Sequence, residues 1–265
     1  MVDFNYRRFG LTFRQIMFSE QGKADFAQED ICIFHGGDNN NYKDNKELQK
    51  NKGVRIDHQI TLLTDLSMKE DDLFSLFKKN CRYEIRRAER EGISVQYYSG
   101  RNARDNQIML DSFEKVYNSM FSKKNMSNRL NRAYVENALE NNNMLISCAL
   151  WNGQPIVYHA YVKDESNALL LYSASVLWNE LEIDRKIIGW ANKRLHWEDM
   201  LYLKEKGVVR YEWGGISSLE KPNGIDVFKM EFSGTVVQYD NCLIARSVLG
   251  AVYIKALKIR DRVRK

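Results

Sequence analysis

The chain has 265 residues, a net charge of +5 and a pI near 8.9, with 44% hydrophobic and 12% aromatic residues. That composition excludes a disordered or fibrous chain and leaves room for one large or two small domains with their own cores. The four cysteines, Cys32, Cys81, Cys148 and Cys242, form no C-x-x-C pair, which argues against a disulfide framework or a zinc site and fits a reducing compartment.

The opening MVDFNYRRFG lacks the apolar core of a signal peptide. The longest nearly apolar run, Ala168 to Trp178, is far short of the ~20 residues that span a bilayer, so a cytoplasmic location is expected. Strand patterns occupy Phe13 to Phe18, Ile31 to Phe34 and His58 to Leu63. An asparagine- and lysine-rich stretch from Asp38 to Gly53 reads as an exposed loop.

Ser67-Met68-Lys69-Glu70 has the form of a capping box and predicts a helix that Gly92 ends. Leu73, Phe77, Cys81, Ile85 and Ala88 recur at its inward spacing. On another face Lys78, Arg82, Arg86 and Arg90 stand four apart, a basic stripe that is either solvated or a phosphate-binding edge. Two helices follow, about Asn106 to Phe121 and Ser127 to Asn141. Strands Met144–Trp151 and Pro155–Lys163 flank Asn152-Gly153, a hairpin signal, and Ala168–Ser175 is a third. A long helix, roughly Asp184 to Lys206, leads to a strand over Val208–Trp213 that breaks at Gly214-Gly215. A polar loop with Pro222 and Gly224 then brings Phe228-Lys229-Met230-Glu231-Phe232, two short strands at about 234–239 and 242–245, and a basic amphipathic helix to Lys265.

From residue 106 the order is two helices, a three-strand meander, a crossover helix and a strand parallel to the last. That is the order of the GNAT acyltransferase core, and it predicts an α/β (α+β) fold with a mixed, mostly antiparallel sheet flanked by helices. In such a fold two neighbouring parallel strands splay apart. Tyr172-Ser173-Ala174-Ser175 and Glu212-Trp213-Gly214-Gly215 would be the lips of the gap. Glycines without Cβ admit a ligand's close approach, and a lysine between aromatics can hold developing negative charge. The Arg/Gln-x-x-Gly-x-Gly/Ala turn that cradles a CoA pyrophosphate is matched only by Lys186 to Ala191, within a periodic helix.

Several segments resemble the Fem-type aminoacyltransferases, which share the GNAT fold: Asn80-x-Arg82-x-x-Ile85-Arg86-Arg87-Ala88 with Gly92-Ile93, Trp151 to Val157, Tyr172 to Ser175, Tyr211 to Ile216, and Gly224 to Lys229 with Phe232. The resemblance runs over about residues 58 to 240. It implies transfer of an acyl or aminoacyl group to an amine of a cell-envelope precursor, a peptidoglycan peptide or a polysaccharide amino sugar. It also implies a role for Lys229 near the reacting carbonyl. Such enzymes pair two GNAT-like domains. The expected division is therefore a reduced N-terminal region at 1–104, an acyltransferase core at 105–240, and a returning strand and helix at 241–265.

Besides Lys229, the candidate catalytic group is His159. Glu212 and Glu231 are further candidates to take the amine proton. Candidate substrate-binding residues are Arg82, Arg86, Tyr172, Ser173, Ser175, Trp213, Gly214, Gly215 and Phe228. No bound cofactor and no metal is expected, the donor being aminoacyl-tRNA or acyl-CoA as co-substrate. Expected partners are a phosphorylated envelope precursor, tRNA, and the inner face of the membrane as a peripheral contact. Two other readings stay open: an acyl-CoA-dependent sugar N-acyltransferase, and a non-catalytic nucleotide- or RNA-binding module.

Overall fold

Alternating burial sets the first strand. In the computed structural model, which describes residues 1–18, 29–35, 53–124, 126, 128–177 and 183–263, Val2–Arg8 (β1) buries Val2, Phe4 and Tyr6 and leaves Asn5 and Arg7 outside. Phe9 and Gly10, at φ 54° and 76°, turn the chain into Leu11–Met17 (β2), antiparallel to β1. Ile31–His35 (β3) runs parallel to β2, and Val54–Asp65 (β4) follows. The asparagine-rich loop, up to residue 52, lies outside the described residues.

The helix expected from Ser67 to Gly92 is two helices, Glu70–Ser75 (α1) and Lys79–Arg90 (α2). Ser67 does not cap; its hydroxyl donates to Asp65 Oδ1 at 2.6 Å, and Lys69 is the N-cap residue. The break has a tertiary cause. Lys78 takes extended ψ (146°) and donates its backbone N–H to Glu231 O at 2.8 Å, a bond that an uninterrupted helix would forbid. The inward residues Leu73, Phe77, Cys81, Ile85 and Ala88 are all buried as their spacing predicts.

Ser94–Ser99 (β5) and Gly100–Asp105 (α3) come next, both additional to the expected elements. Gln107–Lys123 (α4) and Arg132–Glu140 (α5) are capped by Asn106 and Asn131, which accept from Met109 N and Tyr134 N. The second starts five residues later than its periodicity suggests, where Asn131 offers the cap. Met144–Trp151 (β6) and Gln154–Lys163 (β7) join through Asn152 (φ 50°) and Gly153 (φ 76°), the left-handed pair of a two-residue hairpin. Asn167–Ser175 (β8) and Arg185–Glu205 (α6) follow as expected, whereas Arg210–Gly215 (β9) begins two residues later than its pattern suggests and runs through the glycine pair instead of breaking at it. The polar loop contains a helix, Gly224–Lys229 (α7), and the last two strands are one, Thr235–Ala245 (β10). Val248–Val263 (α8) comes last.

The contacts divide the chain into two compact units, Met1–Thr61 with Val236–Lys265, and Leu62–Thr235. The expected divisions fall at 104 and 240 instead. Helix α2 belongs with the second unit because its Ala88 packs with Ile188, Ala191 and Leu195 of α6. In the first unit the strand order is β1-β2-β3-β10-β4, around Ile16, Cys32, Phe34, Val54 and Cys242. Helix α8 is held there by Asp30, whose Oδ1 accepts from Ser247 Oγ (2.5 Å) and whose carbonyl accepts from Arg246 N (2.8 Å). In the second unit the order is β9-β8-β7-β6-β5. Only the β8–β9 pair among these is parallel. Helix α6 packs on one face of that sheet and α4 on the other, where Tyr158 donates to Ser112 and stacks on Phe113. All four cysteines are buried, and burial raises their thiol pKa values, Cys32 to about 11 and Cys81, Cys148 and Cys242 to about 12.

A Cβ on Gly250 would stand 2.2 Å from Asp30 O, so only glycine lets α8 sit this close. Gly250→Ala is expected to cost roughly 1–3 kcal/mol through forced displacement of the helix. Urea unfolding read by circular dichroism checks this.

Candidate active site

Strands β8 and β9 pair only from Asn167–Arg210 to Leu169–Glu212. Beyond those pairs, Leu170 to Ser175 and Trp213 to Gly215 lose each other as partners. On its other edge β8 carries a bulge: Ala160 faces Tyr172 but Tyr161 faces Leu170, so Leu171 is the extra residue. Bulges bend a strand and re-aim its side chains. The β8–β9 ladder therefore ends just where β8 bends.

Lys229 ends α7 beside the unpaired end of β9. Its ammonium donates to Gly215 O at 2.7 Å and to Gly214 O at 3.3 Å, leaving one of its three N–H groups without a partner among the described residues. Burial pulls its pKa down to about 8, against the opposing pull of Asp226 and Glu212. Gly214 sits at φ 69°, and a Cβ there would lie 2.8 Å from Leu170 O, so only glycine lets β9 pass this close to β8; at 4.0 Å the same Cβ would leave Lys229 Nζ in ordinary contact.

Helix α7 is short and leans on its cap. Asn223 Oδ1 accepts from Ile225 N and Asp226 N, while the Asp226 carboxylate accepts from Asn223 N, Ser217 N and Ser217 Oγ. Burial alone would raise the Asp226 pKa, but those donors hold it below the usual carboxylate value. Just past α7, Glu231 pairs with Lys193 of α6, and Lys193 also pairs with Glu84 of α2 at 2.5 Å.

Behind Trp213 lies a buried polar chain. His159 is fully buried, its Nδ1 2.8 Å from Asp199 Oδ2 and its Nε2 2.8 Å from Asn192 Oδ1. Tyr161 donates to Asp199 Oδ2 at 2.6 Å and meets the Tyr211 hydroxyl at 2.8 Å, which in turn lies 2.7 Å from His196 Nδ1. The His196 ring packs on Trp213, Phe228 and Phe232 at 4.6, 5.5 and 5.4 Å between centroids. Burial first, then the charges of His159 and Lys229, push His196 well below its ordinary pKa, so it is neutral. Burial, with Asp199 nearby, raises both tyrosines well above theirs.

No protein-family model and no curated protein matches the chain. Solved structures do. FemX is similar over 85% of this chain and 75% of its own, at TM-score 0.60 and 14% identity. L-PGS from Bacillus licheniformis matches over 86% and 72%, at 0.53 and 13%. The C-terminal domain (DUF2156) of an Agrobacterium fabrum protein described as a lysylphosphatidylglycerol synthetase matches over 86% and 72%, at 0.56 and 11%. The fold is GNAT-like, of the Fem kind.

In this Fem-like fold the nominated residues separate into groups. Gly214, Gly215, Lys229, Phe228 and Trp213 gather at the end of β9. Tyr172 faces the α4 side, edge-on to Tyr117 at 5.2 Å, whereas Ser173 is opposite His159 and so faces α6. Ser175, two residues on, shares the Ser173 face. Arg82 bonds the end of α1, donating to Ser75 O (2.5 Å) and Phe77 O (2.8 Å), and Arg86 lies over the Phe74 ring at 5.1 Å. Sequence reasoning passed over Asn192, Lys193, His196 and Asp199. Their signal was polar residues on the inward side of a helix whose other inward positions are apolar. Among the described residues no cluster of three or more His, Cys, Asp or Glu is placed to hold a metal, and no helix is long and apolar enough to cross a membrane.

Two outcomes follow from this geometry. Arg82→Gln should lower the melting temperature by several degrees, because it strips a charged donor from two helix-end carbonyls, while Arg86→Gln should barely change it. Lys229 has a folded pKa of about 8 against an ordinary value of 10.5. Between those values the unfolded state binds more protons, so this group adds stability as pH rises through the window. In Lys229→Met that component should vanish, which urea unfolding at pH 8 and pH 10 will read as a smaller gain.

Proposed function

We propose that this chain transfers an acyl or aminoacyl group from an activated ester or thioester to an amine of a cell-envelope precursor. The observation that carries the reading is Lys229: a partly buried ammonium with an unpartnered N–H, at the mouth where β8 and β9 part. The Fem-like fold and the segments that resemble Fem-type enzymes supply the reaction class.

The amine nitrogen attacks the carbonyl carbon, and the carbonyl oxygen gains negative charge beside the Lys229 ammonium. Collapse forms the amide and breaks the C–O or C–S bond of the donor. The amine's surplus proton passes to the departing oxygen or sulfur through solvent in the gap. His159 has both ring nitrogens engaged and touches no reacting atom; it acts as a positioning residue, fixing Asp199, Tyr161 and Tyr211 behind Trp213. Trp213 is held from its other side by an indole N–H donated to Thr64 Oγ1 at 2.9 Å.

An aminoacyl ester on tRNA is favoured over acyl-CoA as donor. At the start of α6, where a CoA pyrophosphate would need free N–H groups and no negative charge, Asp184 already accepts from Lys186 N at 2.9 Å. Ile188 and Ala191 of the nearest turn motif are buried in the core. The basic character of the chain suits a polyanionic donor, and a lipid-borne acceptor would bring the reaction to the cytoplasmic face of the membrane.

Incubation with an aminoacyl-tRNA pool, with acetyl-CoA and with envelope precursors bearing a free amine, read by mass spectrometry, tests the reading. Amide product from aminoacyl-tRNA is expected; binding of deacylated tRNA with no transfer from any donor would replace it with a non-catalytic module. Lys229→Met should lower kcat roughly 10²–10³-fold, as loss of one oxyanion donor does. With an acceptor amine of low pKa, turnover should fall above about pH 8, where Lys229 loses its proton. Lys229→Arg, whose guanidinium keeps its proton, should abolish that limb.

A further inference from the structure

The outer face of α8 has a pattern that a solvated helix does not need. Val248, Leu249, Val252 and Ile259 are 81%, 64%, 60% and 52% exposed. At about 100° per residue the four fall within an arc of roughly 100°. Lys255 and Arg262 border one edge of that arc and Arg260 the other, all three exposed. The acidic residue of the helix, Asp261, is on the opposite side, paired with Arg55 at 3.0 Å and with Arg260 at 3.3 Å.

The face cannot turn inward. Ser247 on Asp30 and the close seat of Gly250 fix the rotation of α8, and Ile254 on the inner side is fully buried. The β1–β2 turn extends the surface. Phe9 is 72% exposed, 6.5 Å from the Tyr253 ring of α8, with the Arg8 guanidinium 4.8 Å from its own ring.

We infer that α8 and the Phe9 turn form a docking surface for an anionic lipid bilayer. Apolar side chains between basic flanks, lying flat on one helix, are the composition that enters the headgroup boundary while lysine and arginine meet lipid phosphates. A second copy of the chain fits less well. A two-fold contact on this face would set basic edges against basic edges, since both edges carry cations. The inference stands on this unit's own surface and does not rest on the transfer reading.

The full chain is to be pelleted with vesicles of phosphatidylcholine alone and of phosphatidylcholine mixed with phosphatidylserine. Phosphatidylserine is chosen so that charge, not one envelope lipid, is tested. Expected are pelleting only with the mixed vesicles, weakening as salt rises, and loss of pelleting in Leu249→Asp with Val252→Asp. Replacing Lys255, Arg260 and Arg262 by Gln should weaken partition roughly 100-fold, each cation contributing a near-equal factor. Because these positions are exposed, melting temperatures should match wild type, which separates lost docking from lost folding. No pelleting with mixed vesicles, or pelleting unchanged in the Asp variants, overturns the inference. So does a wild-type dimer in solution that the Asp variants dissociate while vesicles are ignored.

Discussion

A lysine ammonium taken almost wholly out of water must find opposite charge, and Lys193 finds it on two other elements at once. Its carboxylate partners are Glu84 on α2 and Glu231 just past α7. Burial opposes its charge, but the two bonded carboxylates prevail and its pKa lies above the ordinary value. The triad therefore pins the basic helix and the α7 turn to the crossover helix α6. Removing either carboxylate would leave a buried cation short of a partner, the costly direction in which to break such a pair. The location of Lys229 depends on this. Helix α7 has only Gly224–Lys229 to hold it, and a helix that short has little stability of its own.

The buried tyrosine–histidine chain complements that anchor from the other side of Trp213. Trp213 is fully buried, so its ring position is set by its packing and its one hydrogen bond. His196 contributes a flat neutral face, Phe232 a second, and the Asp199–Tyr161–Tyr211 series keeps His196 oriented. The glycine pair after Trp213 thus begins from a fixed point. Polar atoms in this core are high-stakes, and Asp199 Oδ1 has no hydrogen-bond partner among the described residues.

Where burial follows from local period, the sequence was legible. The β1 alternation, the Asn152-Gly153 turn, the inward spacing of α2 and the long helix α6 all read directly from residue pattern. The closeness of the glycine pair to Lys229 is a contact between segments about 15 residues apart, and the ammonium reaches both glycine carbonyls. What failed to show is non-local. The interruption between α1 and α2 comes from one backbone bond to Glu231, far along the chain. Helix α7 hid inside Pro222-Asn223-Gly224, which reads as a turn, although Asn223 and Asp226 are a capping pair. Arg82 reads from sequence as one of a basic stripe, solvated or phosphate-binding, and its bonds to the Ser75 and Phe77 carbonyls at the end of α1 are not visible in that spacing.

The four buried cysteines have a practical consequence. Each thiol is packed away and raised in pKa, so almost none is thiolate near neutral pH and none is open to a reagent in the native state. They also divide evenly, Cys32 and Cys242 in the unit formed by the chain ends and Cys81 and Cys148 in the other. Alkylation followed by peptide mapping would thus register openings of each unit separately, with two native reporters apiece and no engineered label. The rate at which each pair is modified is a direct reading of how often that unit lets solvent in.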